Sequence, residues 1–153
     1  MIEAQVSEAP RRSRAQAIRD RVEIRMAVNA AGPAIAALLK ENGVDLPGIK
    51  WDDVFPHWLL ATTGDDIIGC CQVIPSKPFG YVECLFLRKS VPFKLRAIAI
   101  RKLMIQSVAT LKLAGCSYAG ATVAVKNYKF ANVIEKFNAV KTFSGDVYVK
   151  RLA

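Results

Sequence analysis

Tyr81-Val82-Glu83-Cys84-Leu85-Phe86-Leu87, then Arg88-Lys89-Ser90-Val91-Pro92-Phe93-Lys94-Leu95-Arg96-Ala97-Ile98-Ala99, is the stretch on which the reading of this chain turns. Its first seven residues are aromatic and aliphatic with one glutamate among them, the composition of a strand. Pro92 suits the first turn of a helix, which Gly115 then ends. A strand that passes through a short basic loop to a helix N-terminus makes a seat for phosphate, because free N–H groups and the helix dipole both favour negative charge there. Glycine, which permits the closest backbone approach, is absent from Ser90–Ala99. The seat is present and its detail is blurred.

On the N-terminal side, Val22, Ile24, Met26 and Val28 alternate with polar or small residues, the period of a half-buried strand. Asn29 is placed to cap a helix from about Ala30 to Asn42, closed by Gly43. After a loop that carries Trp51, His57–Thr62 and Ile67–Ile74 read as two strands about the Thr63-Gly64-Asp65-Asp66 turn. Pro75–Gly80 is a second turn, and Tyr81–Arg88 completes a meander. In the long helix, Ala97, Ile100, Met104, Val108 and Leu111 give an apolar stripe, with Lys94, Arg101 and Lys112 in water. Tyr118–Val125 reads as a buried strand. Asn127 opens a helix over about Tyr128–Asn138, and Ala139–Phe143 and Val147–Leu152 pair about Ser144-Gly145-Asp146.

The chain has 153 residues, enough for one domain with a real core, and 52% are hydrophobic. No apolar run reaches a membrane span. Met1-Ile2-Glu3-Ala4-Gln5 lacks the basic and apolar regions of a secretory signal, which points to the cytoplasm. Cys70, Cys71, Cys84 and Cys116 have no CxxC spacing and read as reduced thiols; with His57 the lone histidine, no metal site is expected. The net charge of +9 favours an acidic partner. Residues 1–20 form a basic arm with Arg11, Arg12, Arg14 and Arg19, in which Pro10 opens a short helix; residues 21–153 form the domain.

The element order β-α-β-β-β-α-β-α-β-β resembles the GNAT superfamily of acyl-CoA-dependent N-acyltransferases, over about residues 22–152. Gly64-Asp65-Asp66-Ile67-Ile68-Gly69 is similar to the family's turn between its second and third strands, Tyr81–Leu87 to its fourth strand, and Asn127 to an asparagine common after the fifth. The resemblance implies an α/β (α+β) fold, a mixed, mostly antiparallel sheet of six or seven strands flanked by helices. It implies that the fourth and fifth strands splay where acetyl-CoA enters, its pantetheine arm bonding the fourth-strand backbone at Leu85 and Leu87. The family seats the pyrophosphate on a loop of the form Arg/Gln-x-x-Gly-x-Gly/Ala. The match here is Lys94-Leu95-Arg96-Ala97-Ile98-Ala99, with Lys94 and Arg96 as cations and Ala97 in place of the first glycine. Lys94, Arg96, Ala97, Ala99 and Asn127 are therefore the implied cofactor contacts.

On the catalytic side, the resemblance implies Glu83 as general base. The family's proton-donating tyrosine falls on Ile134, which has no proton to give, and Tyr128 lies about two turns earlier. The sequence reading is thus a GNAT-fold protein with a degenerate acyl-CoA loop, a non-catalytic structural or interaction subunit of a larger assembly such as a phage virion. Its arm would dock on other protein subunits in virion or host cytoplasm. The alternative is an active acetyl-CoA-dependent N-acetyltransferase acting on a primary amine. A third reading is nucleic-acid binding through Arg11, Arg12, Arg14, Arg19 and Arg25.

Overall fold

The structure, a computed structural model, describes residues 13–44, 57–122, 128–136, 139–141 and 147–152. Trp51, Asn127, Phe137, Arg11 and Arg12 lie outside that set, as does the side chain of Arg14. The helices are α1 (Arg14–Asp20), α2 (Gly32–Glu41), α3 (Phe93–Leu113) and α4 (Tyr128–Glu135). The strands are β1 (Glu23–Met26), β2 (Trp58–Thr63), β3 (Asp66–Ser76), β4 (Phe79–Leu87), β5 (Tyr118–Thr122), β6 (Val140–Lys141) and β7 (Val147–Arg151). They form one seven-stranded sheet in the order β1-β2-β3-β4-β5-β7-β6. Only β4 and β5 are parallel, which is the mixed, mostly antiparallel sheet expected.

Local chemistry sets the ends of these elements. Ser13 caps α1: its hydroxyl accepts the N–H of Gln16 at 3.2 Å, while Pro10 lies outside the described residues. The expected cap at Asn29 is displaced. Asn29–Ala31 is a 3-10 turn, and α2 begins after Ala31 with Pro33 in its first turn, where a missing N–H costs nothing. Gly43 and Gly64 take positive φ, +82° and +58°, one closing α2 and one making the β2–β3 turn. The second turn is tighter than expected: β3 runs through Pro75 to Ser76, and only Lys77-Pro78 separates it from β4.

Two apolar layers sandwich the sheet. On one face, α3 covers Leu59, Ala61, Ile68, Cys71, Val73 and Val82; on the other, Ile35, Leu38 and Leu39 of α2 cover Trp58, Leu60 and Cys70. The buried stripe of α3 is Ala99, Leu103, Ser107 and Leu111, with Met104 beside it. This corrects the expected stripe, in which Ala97 was inward; Ala97 is exposed. Apolar residues surround this helix almost evenly, so periodicity alone leaves its rotation open, and packing against the sheet decides it. Lys94, Arg101 and Lys112 are exposed as expected.

Two contacts fix the height of α3 above the sheet. A Cβ on Gly80 would lie 2.3 Å from Leu111 Cδ2 and 3.0 Å from its Cγ, so the glycine lets the helix settle onto the start of β4. Cys71 Sγ and Ser107 Oγ meet at 3.4 Å and satisfy each other inside the core. Burial pushes the Cys71 thiol up to about 11.

Each contact gives a measurable outcome. Because Leu111 is fully buried and cannot swing away, Gly80→Ala should destabilise the fold by about 1–3 kcal/mol in urea unfolding. Truncating Leu113, 89% exposed, should stay within about 0.5 kcal/mol. For Cys71, the unfolded chain releases its proton near pH 9 while the folded chain holds it to about 11. Stability must therefore fall as pH rises through that window, by about 3 kcal/mol from this group. Unfolding free energies at both ends of the window should show a drop smaller by that amount in Cys71→Ala.

Candidate functional site

The site is built around β4 and its parallel neighbour. Phe79, Gly80, Tyr81 and Val82 of β4 pair with Tyr118, Ala119, Gly120 and Ala121 of β5, and no further β4–β5 pair is found among the described residues. Strand β4 runs on to Leu87. The β5-side edge of Glu83–Leu87 is the wedge of the candidate site, and the loop Arg88–Pro92 carries the chain from its end into α3.

A bulge in β4 shapes this wedge. Cys70 pairs with Phe86 and Gln72 with Glu83, so β4 uses one residue more than β3 over the same span. Cys84 supplies the bend with φ of +51°, the only positive φ outside glycine among the described residues. The extra residue resets the alternation: Val82, Leu85 and Leu87 all face the α3 layer, while Cys84 and Phe86 join the α2 layer. Burial, and then the neighbouring Glu83 carboxylate, push the Cys84 thiol up, so it is a poor nucleophile at neutral pH. Glu83 is half-buried, opposite Gln72, at the last step before the bulge and at the throat of the wedge.

At the wide end, backbone donors can be counted one by one. Arg88 N–H bonds Ile68 O at 2.9 Å, Lys89 N–H bonds the Glu41 carboxylate, and Val91 N–H bonds Arg88 O at 3.2 Å. Pro92 is the N-cap and has no N–H; Arg96 N–H begins the helix ladder on Pro92 O at 3.1 Å. Ser90, Phe93, Lys94 and Leu95 keep N–H groups without an acceptor among the described residues. No acidic residue lies in that first turn. The half-buried Arg96 adds a guanidinium whose buried Nε has no partner among the described residues. Donors and positive charge thus converge at the wedge's open mouth.

Several implied contacts shift. Lys94–Ala99 is helix rather than loop. Lys94 and Arg96 lie in its first turn, as a phosphate seat needs. Ala97 faces outward beside Arg19 and Lys102, and Ala99 is wholly inside the core, so Ala99 cannot touch a cofactor. The Leu87 carbonyl already accepts Asn42 Nδ2 at 3.2 Å, which leaves the Leu85 end of β4 as the freer backbone. Ile134, in the tyrosine's place, is 2% exposed and packs on Ala121. Sequence reasoning missed Cys84, Glu41 and Asn42. The bulge left no signal in the sequence, because Cys84 and Phe86 on one face are as apolar as Leu85 and Leu87 on the other.

No protein-family model and no curated protein matches the sequence. Solved structures do match by shape. N-acetylglutamate synthase from Neisseria gonorrhoeae, complexed with coenzyme A and L-arginine, aligns over 86% of this chain at 16% identity and a TM-score of 0.71. The chain spans 33% of that protein. The protein yncA of Salmonella typhimurium, solved with its cofactor acetyl-CoA, aligns over 87% of this chain and 95% of its own, at 12% identity and a TM-score of 0.70. A GNAT-family protein from Desulfovibrio desulfuricans aligns over 86% and 99%, at 15% identity and a TM-score of 0.68. This shared shape shows that the chain has the GNAT fold.

Proposed function

We propose that this protein binds acyl-CoA in the β4–β5 wedge and transfers the acyl group to a primary amine. The observation that carries the reading is the buried Arg96 Nε beside the N–H groups of Ser90, Phe93, Lys94 and Leu95, none of which has an acceptor among the described residues. A buried guanidinium nitrogen without a partner is costly, and a phosphate oxygen would satisfy it. The N–H groups of Ser90, Phe93, Lys94 and Leu95, with Lys94 and Arg96, suit a pyrophosphate. The β4 backbone about Leu85 suits the amide groups of a pantetheine arm. The solved relatives described with coenzyme A or acetyl-CoA support the choice of cofactor.

Acetyl-CoA, bound there, supplies an activated thioester; the amine nitrogen forms the amide bond as the C–S bond breaks. Glu83, at the throat, takes the proton that the amine sheds, directly or through water. The proton for the departing thiolate comes from solvent, since Ile134 offers none. Positioning of the two reactants supplies most of the rate.

A second reading follows from one specific observation. Ile134, which the sequence resemblance matches to the family's proton-donating tyrosine, is buried against Ala121, which suits a GNAT-fold subunit that has given up catalysis within a larger assembly such as a virion.

Isothermal titration separates the two. Acetyl-CoA should bind with Kd on the order of micromolar. Arg96→Ala should weaken binding about 10-fold or more. Glu83→Gln should leave binding intact and lower kcat about 10²- to 10⁴-fold with a primary-amine acceptor. No binding at millimolar acetyl-CoA overturns the proposal. Tight binding without turnover on any amine moves the chain to the second reading.

A further inference from the structure

On its outer side, away from the wedge, α3 meets α1 across a cleft of about 350 Å³ lined by Arg19, Ala97, Ile98, Arg101, Lys102 and Ile105. Three of these six residues are cations and none is an acid. Lys102 Nζ donates to Arg19 O at 2.9 Å and to Val22 O at 2.5 Å, which ties the end of α1 to α3 and holds the cleft's two walls together. Arg101 is exposed and has no ion pair among the described residues. We infer that this cleft seats the phosphate backbone of a nucleic acid.

The charge pattern argues for a polyanion over a single small anion. Helix α3 carries Lys94, Arg96, Arg101, Lys102 and Lys112 and no aspartate or glutamate in 21 residues. Its exposed cations, Lys94, Arg101 and Lys112, span 18 residues, roughly 27 Å of helix. Such a row meets a chain of regularly spaced charges and leaves most of itself unused on one isolated phosphate. Two of the cleft's three cations are arginines, whose planar fork grips the oxygens of an anion in pairs. Recognition is of the backbone: the cleft has aliphatic walls and offers no aromatic ring for base stacking. The row shares Lys94 with the acyl-CoA site, but the residues of the cleft do not belong to that site, so removing Arg19 and Arg101 tests this inference separately.

The test is fluorescence anisotropy of the full chain with a labelled duplex of about 20 base pairs, over roughly 50 to 200 mM salt. Arg19→Gln with Arg101→Gln should weaken binding about 10-fold and lower the slope of log K against log salt by about 2. Lys40→Gln with Lys136→Gln removes the same charge from exposed positions elsewhere and should cost less than about 3-fold, with circular dichroism confirming that both pairs fold. Equal losses from the two pairs would show that net charge alone acts and would overturn the inference. So would absence of binding at the lowest salt. Competition by polyglutamate, or by vesicles rich in phosphatidylserine, as effective as that of DNA at equal charge would overturn it too.

Discussion

Everything at the candidate site depends on how β4 is held: it pairs with β3 from Phe79 to Leu87, and its pairs with β5 among the described residues run from Phe79 to Val82. On the β3 side the ladder holds the strand rigid. The sequence shapes the far end of β4 through a single extra residue. The bulge at Cys84 bends the strand and raises its local twist. It also carries Leu85 and Leu87 onto the α3 layer, so the bend is held by burial of two leucines and does not rely on strain alone.

The clamp at the end of β4 has the same logic. Asn42 and Glu41, at the end of α2, reach across to Leu87 O and Lys89 N–H, and Arg88 Nε bonds Ile67 O at 3.1 Å. The loop between strand and helix is therefore fixed from the α2 side, and its remaining N–H groups point into a preset arrangement. Preorganisation of this kind lowers the ordering cost of binding. It also answers the absence of glycine. A glycine-rich loop lets phosphate approach several N–H groups at once; here the short turn before α3 leaves four without an acceptor among the described residues.

Much of the fold was legible in the chain. Gly43, Gly64 and Gly115 stop elements where their positive φ is needed, and the strand and helix order follows from periodicity. The rotation of α3 was not legible, because Ala97, Ile98, Ala99 and Ile100 are all apolar and any of them could face the sheet. The bulge was hidden for the same reason: Cys84 and Phe86 are as apolar as Leu85 and Leu87, so the slip in phase left no polar residue on the wrong side. Glycines mattered where the sequence reading did not look. Gly80 and Gly69 sit under Leu111 and Leu87, inside strands, and the loop expected to need them does without.

The packing of α3 decides where its charges stand. Leu111 presses the C-terminal end onto Gly80, over the paired part of β4 and β5, and Ala99 and Leu103 bury the middle of the helix in the same core. Burial along one face fixes the rotation of the helix and turns its cations to the other. Lys94 and Arg96 fall in the first turn, next to the end of β4, and Arg101 and Lys102 line the cleft with α1. One helix without a single acidic residue therefore holds two cationic surfaces, about a turn or two apart, on one rigid mount.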